Sequence, residues 1–263
     1  MQPEFTLRFI LISLFAAMGI VMNAEFIIYS TDDGFKYYLD TETKTAKLAK
    51  YSGSTKEVII PENVTYEGFT YNVTKLGDGC FFGCSALTSI TVDDNNPLYD
   101  SRENCNAIIK TESNTMVSGC MNTIIPSSVT SLEDGCFWGC SSLTSITIPT
   151  SVTSLGESSF AYCSSLTSIT IPSSVKNLGN YCFDGCSSLT SVIIPSSVTT
   201  MGWSCFENCT SLTSITIPSS IRSMGNYSFY NCSSLATVIC EIPTALKGDF
   251  SLYITIVYIQ AET

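Results

Sequence analysis

Residues 126–148 read PSSVTSLEDGCFWGCSSLTSITI, and residues 149–171 read PTSVTSLGESSFAYCSSLTSITI. The pattern continues as PSSVKNLGNYCFDGCSSLTSVII, PSSVTTMGWSCFENCTSLTSITI and PSSIRSMGNYSFYNCSSLATVIC. Pro126, Pro149, Pro172, Pro195 and Pro218 stand 23 residues apart. A single globular core does not generate such a period. A stack of coils does, because each coil meets only its neighbours.

One coil can be read as physics. Leu143, Ile146 and Ile148 form an L-x-x-I-x-I run, repeated at Leu166, Ile169, Ile171 and at Leu212, Ile215, Ile217. The alternation at its end predicts a strand with one buried face. Stacked coils would set these strands about 4.8 Å apart in a parallel sheet. The following proline, lacking an N–H, ends the strand. Val152 and Leu155 start a second inward-facing run, read as another short strand. Gly156, Gly179, Gly202 and Gly225 are read as bend positions. Phe160, Cys163 and Leu166 follow at spacings of three and suggest one short helical turn. A coil of this kind buries about seven apolar side chains, too few to stand alone.

The F-x-x-C-S-S-L-T-S-I-T-I-P pattern together with the L-x-x-I-x-I strand resembles the BspA-like class of leucine-rich repeats. The resemblance covers about Val73 to Cys240, the coil from Val73 to Val92 lacking the proline. One departure from common leucine-rich repeats is a Ser after the strand, with the Cys lying before it. The resemblance implies an α/β leucine-rich-repeat solenoid of right-handed coils, with a parallel β-sheet and short helical turns. It also implies a secreted or cell-surface protein that binds protein, adhesin-like, on host or microbial surfaces.

The flanks follow a different grammar. Residues 1–24 carry Arg8, an apolar run from Phe9 to Val21 and then Asn23-Ala24, the layout of a secretory signal peptide cleaved after Ala24. The alternative is an uncleaved N-terminal anchor. Residues 25–72 place Phe35–Leu39 and Thr45–Leu48 around Asp40-Thr41-Glu42-Thr43, a β-hairpin read as an N-terminal cap. Residues 73–240 form the solenoid, and its coil over 93–125 is enlarged. The surplus, Asn106–Lys110 and Thr115–Ser118 around Thr111-Glu112-Ser113-Asn114, reads as a hairpin projecting from the stack. Residues 241–263 read as a closing element with a strand at Tyr253–Ile259, either a short cap or the start of something longer.

Charge and composition restrict function. The chain has 23 acidic residues, 12 basic residues and no histidine. Removing residues 1–24 takes away Glu4 and Arg8 and leaves the net charge at -11. That balance disfavours nucleic acid and anionic membrane as partners. No later segment predicts a membrane span. Nucleophilic catalysis needs a base beside the nucleophile, and phosphate-loop, zinc and EF-hand patterns are missing. The reading is not an enzyme, with no cofactor and no small-molecule substrate. Glu133, Asp134, Glu157, Asp184 and Glu207 are read as solvated surface.

Thirteen cysteines need separate treatment. Cys84, Cys140, Cys163, Cys186, Cys209 and Cys232 share one column; Cys80, Cys136, Cys182 and Cys205 share another, where other coils have Ser159 and Ser228. A position indifferent to Cys or Ser is a small buried one, and thiols there can donate weak hydrogen bonds to loop carbonyls. Thiolates without His or C-x-x-C knuckles make poor metal sites, and parallel vectors fit disulfides poorly. Cys105 and Cys120 are different. A two-residue turn at Glu112-Ser113 would set them opposite each other, where they could bridge.

Binding must use what varies among constant coils. The strand's outward face, Thr144, Ser145, Thr147 and equivalents, is hydroxyl-covered. Variation gathers near the turn, where Trp138, Tyr162, Tyr181, Trp203, Tyr227 and Tyr230 are candidate contact anchors; the alternative is that they pack on adjacent coils. At the level of the whole chain, two other readings stay open: a structural spacer without a ligand, and the non-catalytic portion of a longer surface protein. N-x-S/T triplets at Asn63, Asn72, Asn208, Asn226 and Asn231 matter only in a source that glycosylates.

Overall fold

The computed structural model describes residues 26–241. The expected signal peptide and the strand at Tyr253–Ile259 lie outside the described residues.

The 23-residue period appears directly as strand register. Ser131 pairs with Ser154, Leu155 with Leu178, Asn177 with Thr200 and Thr200 with Ser223, all in parallel. These two-residue strands belong to the second inward run of each coil. They continue an eight-stranded sheet whose other members are Tyr99–Asp100, Ala107–Lys110 and Thr115–Gly119. The L-x-x-I-x-I strands pair in parallel as expected but in shorter stretches: Ser168–Thr170 with Ser191–Ile193 and, through Thr170, with Thr147, and Ser214–Ile217 with Thr237–Cys240. Continuity therefore belongs to the shorter run.

The core between these strands is a row of identical side chains. Phe137, Phe160, Phe183, Phe206 and Phe229 stack with centroids 5.1–5.7 Å apart and planes within 10° of parallel. Above and below them lie the buried columns of Val152, Leu155, Leu166 and Ile169 with their equivalents. Each buried aliphatic or aromatic side chain contributes roughly 1.5–3 kcal/mol by area, and the surface it covers belongs to the next coil.

The thiols fit this interior. Cys163, Cys186, Cys209 and Cys232 each donate to the carbonyl of the phenylalanine one coil earlier, at 3.0–3.2 Å. In the second column Ser159 and Ser228 donate to Gly156 and Gly225 at 2.6 Å. All thirteen cysteines are free, and the described residues contain no cluster of three or more potential metal ligands. Burial pushes the Cys186 and Cys140 thiols up to about 12, so they are neutral at ordinary pH.

The turn between the two strand runs is not helical. Bonds of the i to i+3 type are present, such as Trp138 N–H to Gly135 O and Cys140 N–H to Phe137 O. Two columns in every coil, however, are left-handed: Gly135, Ser158, Tyr181, Ser204, Tyr227, and Gly139, Tyr162, Gly185, Asn208, Asn231, with φ from 53° to 71°. A residue in that region breaks a right-handed helix. What the turn gains is a third ladder between coils. Gly135, Phe137 and Gly139 donate their N–H groups to the carbonyls of Glu157, Ser159 and Ala161 in the next coil, and the pattern repeats along the stack.

The glycines read as bends have another purpose. Gly156, Gly179, Gly202 and Gly225 are absent from the left-handed set. A Cβ on Gly179 would lie 2.7 Å from the Gly156 carbonyl oxygen and 2.8 Å from the Glu157 nitrogen. They permit backbones of adjacent coils to touch.

The N-terminal region is a five-stranded sheet ordered Phe26–Ser30, Phe35–Asp40, Thr45–Tyr51, Phe69–Leu76, Asn63–Tyr66. The predicted hairpin is its Phe35–Asp40 and Thr45–Tyr51 pair. The coil pattern begins earlier than the Val73 expected from the sequence. Glu57–Ile60 pairs in parallel with Ser89–Val92, residue for residue, and Pro61 follows it as proline follows later strands. The hairpin Asn63–Tyr66 with Phe69–Leu76 is an insertion inside this first coil.

The second hairpin, Ala107–Lys110 with Thr115–Gly119, forms where expected but does not project. Thr115–Met116 pairs in parallel with Ser131–Leu132, so the hairpin is the first rung of the coil ladder. Its two faces serve different interiors. Ala107, Ile109 and Met116 join the coil core, while Ile108 joins the core of the N-terminal sheet. A bulge between Met116 and Ser118 shifts the register, pairing Ala107 with Gly119. The opposition inferred for Cys105 and Cys120 is thereby lost. Their thiols sit in separate cores and donate to Ala107 O and Asn106 O, at 3.7 and 3.5 Å.

Candidate functional site

Side chains that change between coils concentrate on the turn edge, whose backbone is fixed by the third ladder. Five of the six anchor candidates are exposed there: Tyr162, Tyr181, Trp203, Tyr227 and Tyr230, with Trp203 the most open at 59%. Trp138 is half-buried.

The six do not form one row. Trp138 packs against Tyr162 at 5.4 Å, edge to face, and stacks on Phe82 at 4.8 Å. Tyr227 and Tyr230 form a second pair at 5.8 Å. Tyr181 and Trp203 lie in the coils between. Phe82 was not singled out in the sequence, although alignment on the cysteines sets it in the column of Trp138. Glycines make room for these rings: a Cβ on Gly185 would lie 2.7 Å from the Tyr162 ring, and one on Gly135 would strike Phe82.

Tyr162, Tyr181 and Tyr227 occupy left-handed positions that glycine, serine or asparagine fills in other coils. A residue with a Cβ costs about 1–2 kcal/mol there, and glycine costs nothing comparable. Backbone conformation alone therefore does not select tyrosine at these places. Strain of this kind concentrates where a side chain is needed for something else.

The carboxylates of the edge are more engaged than solvated surface. Asp184 is only 5% exposed; it accepts from Asn208 Nδ2 at 2.9 Å and is hydrogen-bonded to the Tyr162 phenol. The negative charge of Asp184 raises the Tyr162 phenol above its ordinary value, and that hydrogen bond adds to the effect. Asp134 accepts from the Glu157 N–H at 2.7 Å, and the Asn180 side chain links Glu157 to the Trp203 N–H. Glu133 pairs with Lys110. Side chains thus brace the edge from coil to coil.

The hydroxyl face is plainer. Thr167, Thr190 and Thr213 donate to the carbonyl one coil earlier at 3.2–3.5 Å. Ser145, Ser168 and Ser191 are exposed. Isoleucine alternates with threonine in one column of this face: Ile124, Ile193 and Ile239 are exposed, at 70%, 73% and 36%, where other coils have Thr147, Thr170 and Thr216.

Among the described residues no helix is long and apolar enough to cross a membrane. None of the curated proteins matches the chain. Solved structures do. A leucine rich cell surface protein from Faecalibacterium prausnitzii aligns at 17% identity and TM-score 0.53, covering 84% of this chain and 97% of the other. A leucine-rich repeat protein from Eubacterium ventriosum aligns at 23% and TM-score 0.54, over 78% of this chain and 63% of that one. The pneumococcal vaccine antigen PcpA aligns at 18% and TM-score 0.60, over 76% of this chain and 49% of its own length. At such identities the likeness establishes the fold, and this chain spans about half of the pneumococcal antigen. Six copies of the repeat described as "BspA type Leucine rich repeat region" match residues 50–118 and 108–236. The match takes in Glu57–Ile60 and Pro61 of the first coil, and the chain belongs to the BspA-type leucine-rich repeat family.

Proposed function

We infer that this chain is an exported, surface-displayed module that binds protein, attaching in an adhesin-like way to host or microbial macromolecules. The observation carrying this reading is the exposed aromatic edge, with three tyrosines held on strained backbone where the fold accepts glycine. Rigid aromatic anchors of this kind are what concentrated binding energy uses. The signal-peptide layout of residues 1–24 supports export, and the N-terminal sheet acts as a cap for a right-handed solenoid.

The test is direct binding of the purified full chain to immobilised extracellular-matrix proteins and to whole cells. Saturable binding supports the reading; none to any of these surfaces overturns it. The second reading, a spacer without a ligand, is favoured by the near-uniform hydroxyl face and would then stand.

A further inference from the structure

Charge is segregated around the coils. Between residues 126 and 240 the acidic residues are Glu133, Asp134, Glu157, Asp184 and Glu207, and all lie in the turn segment. The basic residues of that stretch are Lys176 and Arg222, which immediately precede the short ladder strands and lie outside the turn segment. Lys110 matches Glu133 alone. Neutral donors hold Asp134, Glu157 and Asp184 in position without cancelling their charge. The turn edge thus presents aromatic faces with the carboxylates of Asp134, Glu157 and Glu207 between them, while Asp184 lies buried beneath and Glu133 is paired.

That combination is complementary to guanidinium and ammonium groups. A cation is drawn to the face of an exposed Trp or Tyr, and a carboxylate receives arginine through two parallel hydrogen bonds. The whole chain, at net charge -11, adds attraction at longer range. A neutral glycan could use the rings and asparagines, but it gives no reason for cations to be kept off the edge. We propose, on the protein-binding reading above, that the turn edge from Phe82 to Tyr230 docks an arginine- and lysine-rich segment of a partner protein.

The chain reports on its own edge, because Trp138 and Trp203 are its two tryptophans. Six coils, five steps of about 4.8 Å, span roughly seven extended residues, so a dodeca-arginine peptide is long enough to cover them. The full chain is titrated with dodeca-arginine, with dodeca-glutamate and with cellohexaose, following tryptophan emission. The expected result is a saturable change with dodeca-arginine alone, weakening about tenfold as salt rises from roughly 50 to 200 mM. The triple variant Tyr162→Gly/Tyr181→Gly/Tyr227→Gly should bind at least tenfold more weakly, about 1.4 kcal/mol or more. Glu157→Gln/Glu207→Gln, which keeps every ring, should lose about threefold at low salt.

Equal responses to dodeca-arginine and dodeca-glutamate overturn the proposal. So does unchanged affinity in both variants, and a response to cellohexaose alone makes the edge a glycan surface instead. Retained circular dichroism and melting temperature separate lost contact from lost fold, and the charge variant decides if the glycine variant unfolds. Matrix-protein binding by the full chain without any dodeca-arginine response removes the partner chemistry and leaves the protein-binding reading intact. Failure of both removes both.

Discussion

The phenylalanine row and the turn edge are adjacent parts of the same coils, yet the sequence treats them in opposite ways. Inside, Phe137 to Phe229 never vary, because each ring is the surface on which the next one stacks. On the edge, the backbone stays left-handed throughout but the side chains range over Gly, Ser, Asn and Tyr at φ from 53° to 71°. Stacking fixes residue identity where side chains meet from coil to coil. It fixes only conformation where the backbone alone makes the contact.

The difference can be broken most severely from within. Phe183→Ala removes the middle ring and should cost about 3–5 kcal/mol, read as a lower urea midpoint. A loss under 1 kcal/mol would mean that the row is not the element holding the coils together. Gly179→Ala tests the backbone contact. Its new methyl meets the Gly156 and Glu157 backbone, and about 1–3 kcal/mol should be lost.

The thiols sharpen the interior side. Burial raises Cys186 from the usual 9.0 to about 12, so folding favours the neutral thiol. That contribution is intact below pH 9 and is lost as pH rises toward 12, because the unfolded thiol ionises first. Melting temperature should fall over this range, and less steeply in Cys186→Ser; identical slopes would count against the assignment. On the edge the sign reverses. Tyr181→Gly relieves a left-handed tyrosine and should raise stability by about 0.5–1 kcal/mol, after allowing for the more flexible unfolded chain. The smallest effect concerns Cys105 and Cys120. Alkylation of the denatured, unreduced chain should label all thirteen cysteines, and a mass short by two labels would restore the bridge.

Much of the interior was legible because stacking writes itself as a period. The columns of Leu, Ile, Phe and Cys, the hydroxyl face and both hairpins near Asp40 and Glu112 follow from spacing and alternation. The turn was misread as helical because Phe160, Cys163 and Leu166 are spaced by three, and spacing carries no sign of φ. The left-handed columns were visible only as an odd mixture of Gly, Asn, Ser and Tyr, which shares no polarity or size. The first coil was missed because the hairpin after Asn63 separates Pro61 from the rest of its repeat. The bulge at Val117 leaves no mark in the alternation, and it moved the register of Cys105 and Cys120 by one residue.

The thiol-to-carbonyl bonds have a consequence for how such a chain can change over generations. In the interior every link between coils is either a backbone bond or a contact that the next unit can supply, and no covalent tie commits one coil to a particular neighbour. A duplication or deletion of one whole period would therefore leave each interior junction chemically unchanged. Length becomes a freely adjustable trait, and the same chain can mature in reducing or oxidising surroundings without a pairing problem to solve.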